Sequence, residues 1–467
     1  RAMGQKGSKP DSAADGDDGS PTPVSERSWS MKFRSPDPQL RSQSEAGLLH
    51  IESVPGTEKF NSIPLLRGPG TLTRKHRWSQ FASSTALPGL FLADVAKVPF
   101  RYAIKGPKRP TWTLQFEEIV TALRSVARNA PRRRIWEGEA TLLRMLTSSV
   151  GVPKLVCPGS IRYFTEVVGT VQSEWIFPID FQRPHLTPKE AIHHSNDPVI
   201  LYIHGGAFAL CTPGTHRLLC SCLVQSSHGV LLAPNYRKAP ESTITEATDD
   251  CLAAYKHLLD ICAVPPERIV FAGDSAGGGL CVCLLRRLVR EGLPLPGRGA
   301  ALLSPWVDLS EGLDGTFRMS MQVNSNWDYL PLDLVHIFAR LAVGADAEAE
   351  NAEDKDKWGN LLDPDFSPIF ATDLRELSSV PFLVIAGEVE ILADQIIEFG
   401  HKLKEEGCQV ELQVYRDMVH VFPTMCPYQS PGPMCVENIA RFARGGEQVV
   451  PVPLPEGSTA GHSEAAA

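Results

Sequence analysis

One segment constrains the fold more than any other. A β-branched and aromatic run over 268–272 ends in Gly-Asp-Ser-Ala-Gly, and a helical leucine pattern follows. A serine at the apex of a strand, tight turn and helix needs a positive φ, which crowds the residues two places on either side; these are Gly273 and Gly277. The turn would expose the Oγ of Ser275 and place the N–H of Ala276 at a helix N-terminus, where negative charge is stabilised. The pattern predicts a nucleophile elbow, although a glycine-rich turn with an incidental serine has the same spacing.

A second motif lies upstream of the elbow. Residues 198–203 form an apolar run typical of a buried strand, and His-Gly-Gly-Ala-Phe follows at 204–208. Small residues there would let backbone N–H groups approach an oxyanion, and removing one such donor typically lowers a rate by roughly two to three orders of magnitude. A plain strand-ending turn is the alternative, but the order of strand, loop and elbow favours an oxyanion hole. The predicted oxyanion-hole residues are Gly205, Gly206, Ala207 and Ala276, with His204 and Asp274 as supporting residues of the two motifs.

These motifs resemble those of the hormone-sensitive-lipase-like branch of the α/β-hydrolases. The resemblance covers about 155–445 and, more weakly, 100–155. It implies an α/β-hydrolase fold, a mostly parallel central sheet flanked by helices, with an N-terminal helical cap over the active site. The family usually has a third glycine where this chain has Ala207, but the N–H of the alanine stays available. The matching stretches are His-Gly-Gly-Ala-Phe (204–208), Asn-Tyr-Arg-Lys-Ala-Pro-Glu (235–241), Gly-Asp-Ser-Ala-Gly (273–277) and Leu-Ser-Pro-Trp-Val-Asp-Leu (303–309), followed by a C-terminal acid and histidine.

The order of residues in this fold selects the catalytic base. Serine, acid and histidine follow one another along an α/β-hydrolase chain. The histidines after the serine are His336, His401, His420 and His462. The first lies in a helical pattern ahead of the predicted acid, the second in an amphipathic helical pattern, and the last in a polar tail. His420 instead follows an alternating strand over 409–415 and a short turn, and the carboxyl end of a strand is where such a site lies. His420 is therefore the predicted base.

The acid is identified from the resemblance. The family places it three residues after the glycine that ends the preceding strand, here Gly387, and this position is Glu390. The family more often has Asp followed by Pro, whereas Ile391 follows here; a glutamate does the same electrostatic work with one more methylene. Its role would be to accept the histidine Nδ1–H and stabilise the imidazolium. We expect Asp394 to charge the first turn of the next helix and Glu388 to be solvated.

Composition and periodicity divide the chain into four parts. The first and last are poor in large apolar residues, as disordered segments are. Within the cap, Trp112, Phe116 and Trp136 are expected to cover an acyl pocket, or else to pack on the outside of the domain. The predicted parts are a disordered segment (1–55), a linker and helical cap (56–155), the α/β-hydrolase catalytic domain (156–445) and a disordered tail (446–467).

Apolar runs and helical patterns alternate through the catalytic domain. This alternation argues for a mostly parallel sheet covered on both faces. The stretch Asn-Trp-Asp-Tyr at 326–329 is expected to belong to a second cap element. The predicted strands cover 161–171, 174–178, 198–203, 229–234, 268–272, 299–304, 381–386 and 409–415.

The composition fits an enzyme without a cofactor. The 467 residues are 43% hydrophobic, enough for one large α/β domain with a smaller cap. The net charge is −8, and the basic residues form no groove-sized patch, so no nucleic-acid partner is expected. The eleven cysteines show neither zinc-ribbon spacing nor a disulfide framework, so we expect no metal and favour an intracellular location, cytoplasmic or membrane-associated. Since the sequence has no apolar run of about 18 residues, contact with a membrane would come through a lipid substrate or a segment preceding Arg1.

The predicted activity is hydrolysis of a small-molecule carboxylic ester through a Ser-His-Glu triad and an acyl-enzyme. Ser275 would attack the acyl carbonyl, His420 would move its proton, and Glu390 would orient His420. The resemblance implies short or medium acyl groups, with acetylated lipids or sterol esters as a natural class. Two alternatives stay open. One is an amidase of the arylformamidase type, whose His-Gly-Gly loop usually continues into an aromatic pair that includes Trp. The other is a non-catalytic ligand-binding protein on the same fold, which typically loses the histidine.

Overall fold

A computed structural model describes part of the chain. The segment expected to be disordered over 1–55, Trp136, and the tail from 447 onward lie outside the described residues. The described residues are 93–130, 144, 160–179, 185–193, 195–312, 317–344, 361–425 and 431–446.

Eight strands form one sheet. They are β1 (Ile161–Val168), β2 (Val171–Pro178), β3 (Val199–Ile203), β4 (Val230–Pro234), β5 (Ile269–Asp274), β6 (Ala300–Leu303), β7 (Phe382–Gly387) and β8 (Val410–Tyr415). Their order across the sheet is β1-β2-β4-β3-β5-β6-β7-β8. Strand β2 runs antiparallel to both β1 and β4, and every other neighbouring pair is parallel. The prediction of a mostly parallel α/β-hydrolase sheet is confirmed.

The opening hairpin turns earlier along the chain than the sequence predicts. Strands β1 and β2 pair with Val168 opposite Val171. The turn is therefore Gly169-Thr170, rather than a turn at 172–173. Gly169 has a φ of 61°, which glycine adopts without steric penalty. The run of β-branched residues continues through this turn into the second strand, so the apolar pattern alone does not reveal where the first strand ends.

The central strands send alternate side chains into two hydrophobic clusters, one on each face of the sheet. In β3, Val199, Leu201 and Ile203 belong to one cluster, whereas Ile200 and Tyr202 belong to the other. Every residue of β3, β4 and β5 is buried, as expected for parallel strands covered by helices on both faces. Because full burial of each large apolar side chain contributes about 1.5–3 kcal/mol, these strands form a rigid base for the loops at their ends.

Helices connect the strands and cover both faces. The longest helix in the described part of the chain, α6 (Ala276–Glu291), begins one residue after β5 ends. No helix in the described part of the chain has the length and apolarity needed to cross a bilayer. The helices are α1 (93–105), α2 (Leu114–Arg128), α3 (Pro188–His193), α4 (Arg217–Ser227), α5 (Ile244–Lys256, continued by a π-helical turn at His257–Ile261), α6 (Ala276–Glu291), α7 (Met319–Asn324), α8 (Leu332–Ala342), α9 (Ala393–Glu405), α10 (Phe422–Met425) and α11 (Gly432–Ala443). Short 3₁₀ segments lie at Pro213–His216, Pro266–Arg268, Pro368–Phe370 and Leu374–Leu377.

The N-terminal helices pack on the domain through two aromatic rings. Trp112 and Phe116 are 3% and 4% exposed, and their ring centroids lie 5.3 Å apart in an edge-on arrangement. Both belong to the cluster that contains Val120 and Val419. The indole N–H of Trp112 also donates to the carbonyl of Asp417 at 2.7 Å. This burial shows that both rings pack within the domain, and the cover of an acyl pocket stays a prediction.

Candidate active site

The turn after β5 has the geometry of a nucleophile elbow. Ser275 has φ 52° and ψ −122°, and α6 begins at the next residue. A Cβ on Gly273 would lie 2.6 Å from the carbonyl oxygen of Gly277, and a Cβ on Gly277 would lie 2.0 Å from that of Ile203. Side chains at these two positions would therefore collide with backbone, which is the reason for the spacing seen in the sequence. The backbone N–H of Ser275 donates to the carbonyl of Leu303 at 2.9 Å, which fixes the turn to the neighbouring strand.

The side chains of Ser275, His420 and Glu390 form a continuous chain of hydrogen bonds. The Oγ of Ser275 lies 2.8 Å from Nε2 of His420, and Nδ1 of His420 donates to Oε2 of Glu390 at 2.6 Å. The other carboxylate oxygen of Glu390 accepts the N–H of Gly387 at 2.8 Å. Ser275 is 8% exposed, His420 2% and Glu390 0%. Such an arrangement can pass a proton from the hydroxyl to the ring while the carboxylate holds the ring tautomer.

These three side chains follow the carboxyl ends of the parallel strands β5, β7 and β8, where sites of this kind lie. The loops after β7 and β8 approach each other closely. A Cβ on Gly387 would lie 2.3 Å from the carbonyl oxygen of Met418, and the N–H of Val389 donates to that same oxygen at 3.0 Å. Next to the histidine, the N–H of Val421 donates to Oγ of Ser304 at 3.1 Å. Backbone hydrogen bonds at Met418 and Val421, on either side of His420 in sequence, therefore fix the loop that carries this histidine.

The surroundings of His420 favour its charged form. Burial acts against charging, but the hydrogen bond and negative charge of Glu390, with the charges of Asp328 and Asp274, raise the pKa of the imidazole above its ordinary value. Only the neutral ring can accept the serine proton. Its function as a base is therefore present above this raised pKa and is lost as the pH falls through it.

The loop after β3 exposes two backbone N–H groups beside the elbow. Gly206 has a φ of 115°, and Ala207 has a φ of 52°. Within the described residues neither N–H donates a hydrogen bond. The N–H of Ala276 lies in the first turn of α6, where such groups have no partner inside the helix. By contrast, the N–H of Gly205 donates to Oδ1 of Asp274 at 3.0 Å. Gly205, which we expected among the oxyanion-hole residues, therefore shapes the loop and is not available as a donor.

Asp274 joins this loop to the elbow. Its Oδ1 accepts the hydroxyl of Tyr202 at 2.7 Å as well as the N–H of Gly205. Its Oδ2 lies 3.2 Å from Nε2 of His216. Burial alone would raise the pKa of this carboxyl, but His216 and the two hydrogen bonds to Oδ1 hold it below its ordinary value. The sequence did not identify His216, because it precedes the serine and no short-range spacing links it to Asp274.

His204 supports the loop after β3, as expected, and only one of its ring nitrogens takes part. Its Nδ1 donates to the carbonyl of Gly205 at 2.7 Å. Its ring stacks on Tyr236 at 4.4 Å between centroids. Burial, aided by the charges of Lys238 and His216, lowers the pKa of the imidazole well below its ordinary value, so the ring is neutral. In the described part of the chain, its Nε2 is buried without a hydrogen-bond partner.

The carboxylates on either side of Glu390 differ in their surroundings. Asp394 lies in the first turn of α9, as predicted, and its Oδ2 accepts the N–H of Ser320 at 2.8 Å. The expectation that Glu388 is solvated is wrong. Its side chain is half-buried, and its Oε2 accepts the N–H of Asp417 at 2.8 Å, because the loops after β7 and β8 meet there.

Two of the remaining histidines lie where the elimination placed them. His336 lies in α8 with its ring stacked on Phe317, and His401 is exposed on α9. His462 is outside the described residues. Over the ranges that the structure describes, no three His, Cys, Asp or Glu side chains are grouped so as to hold a metal ion.

Sequence relatives of this chain are known enzymes. A family model for the α/β-hydrolase fold matches residues 200–424. An acetyl-hydrolase from Streptomyces hygroscopicus is 31% identical over 298 residues, which cover 63% of this chain and 84% of that protein. The carboxylesterase/phospholipase LipF of Mycobacterium tuberculosis is 29% identical over 249 residues, which cover 53% of this chain and 61% of that protein.

Solved structures of esterases also resemble this chain in fold. A crystal of EstE5 soaked with p-nitrophenyl butyrate matches with a TM-score of 0.57 and 26% identity, over 72% of this chain and 99% of that one. An esterase from the bacterial hormone-sensitive lipase family matches with a TM-score of 0.56 and 27% identity, over 72% of this chain and 98% of that one. On sequence and fold together, this chain belongs to the α/β-hydrolase family, in its hormone-sensitive-lipase-like branch.

Proposed function

We propose that this protein hydrolyses carboxylic esters through an acyl-enzyme formed on Ser275. The observation that carries the proposal is the chain of hydrogen bonds from Ser275 through His420 to Glu390, at 2.8 Å and 2.6 Å. The coarser statement, an enzyme of the esterase and lipase type, has the support of relatives named acetyl-hydrolase, carboxylesterase and esterase.

In the acylation step, the Oγ of Ser275 attacks the acyl carbonyl carbon and its proton passes to Nε2 of His420. The carbonyl oxygen becomes an oxyanion, which the N–H groups of Gly206, Ala207 and Ala276 would stabilise. Glu390 stabilises the imidazolium that forms. As the C–O bond to the alcohol breaks, His420 gives its proton to the departing oxygen.

Deacylation reverses these roles with water in place of the alcohol. The neutral His420 takes a proton from a water molecule, and the resulting oxygen attacks the acyl carbonyl carbon of the Ser275 ester. The second oxyanion would use the same backbone donors. When it collapses, the bond to Oγ breaks, the proton returns to Ser275, and the carboxylic acid leaves.

The substrate class that we propose is an ester of a short or medium acyl group, including acetylated lipids or sterol esters. Two comparisons support short acyl groups. One relative is named an acetyl-hydrolase, and the EstE5 crystals were soaked with a butyrate ester. An intact hydrogen-bonded histidine weighs against the non-catalytic alternative, because a binding protein needs no proton acceptor beside the serine.

The test is a panel of p-nitrophenyl acetate, butyrate, octanoate and palmitate beside an aryl formamide, with Ser275→Ala as the control. We expect turnover of the acetate and butyrate esters to exceed that of the palmitate and of the formamide. Ser275→Ala should lower kcat/KM by about three orders of magnitude while the protein stays folded. Faster cleavage of the formamide than of any ester would indicate an amidase, and binding of esters without turnover would contradict the proposal.

A further inference from the structure

We infer that Asp328 is a positioning residue for the proposed triad, because its buried carboxylate anchors the loop that carries Glu390 and places a second negative charge near His420. The inference rests on the proposed function. Asp328 is 1% exposed and lies in the turn after α7, within the Asn-Trp-Asp-Tyr stretch that the sequence assigned only to a second cap element.

Both oxygens of this carboxylate bind backbone N–H groups. Oδ2 accepts the N–H of Ile391, the residue that follows Glu390, at 2.9 Å. Oδ1 accepts the N–H of Tyr329 at 2.7 Å. Because hydrogen bonds to a charged acceptor are roughly twice as strong as neutral ones, the first of these bonds fixes the backbone directly beside the proposed catalytic acid.

Two further side chains of the same segment hold the acid loop. The Nδ2 of Asn324 donates to the carbonyl of Glu390 at 2.9 Å and to that of Glu388 at 3.1 Å. The Oγ of Ser320 donates to the carbonyl of Ile391 at 2.9 Å. Since several bonds join this segment to the loop, loss of the Asp328 bond should shift Glu390 rather than release the loop.

The charge of Asp328 also acts on the histidine. The ring of Tyr329, the next residue, lies 6.2 Å from the ring of His420 between centroids. Burial raises the pKa of the Asp328 carboxyl to about 6, against the opposing effect of His420, so the group is ionised above that pH. Its charge adds to those of Glu390 and Asp274 in raising the pKa of His420.

Two charged groups from the N-terminal region pack on this turn. The guanidinium of Arg109 lies 5.0 Å from the ring centroid of Trp327. The Nε of Arg124 in α2 donates to the carbonyl of Asp328 at 2.9 Å. The contact reaches the backbone and leaves both carboxylate oxygens to the N–H groups described above. The N-terminal helix therefore supports the turn that supports the acid.

The experiment compares Asp328→Asn and Asp328→Ala with Asp333→Asn, an acid of the neighbouring helix α8, as the control. Asparagine removes the charge and keeps one acceptor oxygen, which can serve the N–H of Ile391 or that of Tyr329 but not both. We expect Asp328→Asn to shift the acidic limb of kcat/KM to lower pH by about one unit, because a nearby negative charge favours the imidazolium. Asp328→Ala should lower kcat by up to about 100-fold, through displacement of Glu390, with little change in KM. Asp333→Asn should match the parent.

A second readout does not depend on activity. The titration of His420, followed by NMR and assigned by its loss in His420→Gln, should have a lower midpoint in Asp328→Asn than in the parent. An unchanged midpoint together with an unchanged pH profile would overturn the inference, even if the variant were less stable. If the parent itself cleaved no ester, the proposed function would fail, whereas the NMR titration would still decide the role of Asp328.

Discussion

At the scale of single residues, Glu390 is the proposed acid of the triad, a glutamate where the resembled family more often has an aspartate. Its two oxygens accept from His420 and from the N–H of Gly387. A glutamine could satisfy only one of these donors through its carbonyl oxygen and would turn its own N–H groups toward the other. We predict that Glu390→Gln lowers kcat by about three to four orders of magnitude, nearly as much as His420→Ala, measured with p-nitrophenyl butyrate at pH 8.

The neighbouring carboxylates provide matched controls. Asp394→Asn keeps an acceptor for the N–H of Ser320, and Glu388→Gln keeps one for the N–H of Asp417. Both variants should retain most of the activity. A severe loss in Asp394→Asn with a mild loss in Glu390→Gln would require Asp394 to replace Glu390 as the acid of the proposed triad.

At the scale of elements, the backbone of the loop after β3 packs directly against Asp274 of the elbow, without room for a side chain at Gly205. A Cβ on Gly205 would lie 2.2 Å from Oδ2 of Asp274 and 2.8 Å from its backbone oxygen. Gly205→Ala must therefore push the loop away from the elbow and misplace the N–H groups of Gly206 and Ala207. We predict a fall in kcat of roughly two orders of magnitude, with a smaller change in KM.

The control for this variant is Gly214→Ala. A Cβ there would have the side-chain oxygen of Thr212 as its nearest neighbour, at 3.3 Å. The change should leave kcat close to that of the parent. Equal kcat values for Gly205→Ala and the parent, with both proteins folded, would show that the position of this loop does not limit the rate.

Sequence patterns predicted the elements well where the signal was local. The parallel strands β3 to β7 are largely continuous apolar runs because helices cover both their faces, whereas β8 alternates apolar and polar residues. Each of the six strands was placed within a residue or two. The hairpin turn at Gly169 was misplaced, since similar β-branched residues lie on both sides of it. The burial of the N-terminal aromatic residues Trp112 and Phe116 could not be predicted with the same accuracy, because the residues that they contact are distant in sequence.

At the scale of the whole molecule, contacts between distant segments surround the proposed site. Arg109 binds Asp417, which precedes His420 by three residues, although 308 positions separate the pair. Arg124 reaches the carbonyl of Asp328 across 204 positions. The serine and the histidine could be predicted because each follows a recognisable strand, and the glutamate because the family resemblance indicates its position. Asp328 and His216 could not be predicted. Their partners are distant in sequence, and no spacing pattern links either residue to its partner.

The most direct test of the account is labelling of the full chain with a fluorophosphonate, followed by mapping of the modified peptide. We predict one label on the Oγ of Ser275, because this hydroxyl lies 2.8 Å from Nε2 of His420, with loss of ester hydrolysis in proportion to labelling. Ser275→Ala should take up no label, and His420→Ala should react far more slowly than the parent. Labelling of a different serine, with ester hydrolysis retained in Ser275→Ala, would contradict the account.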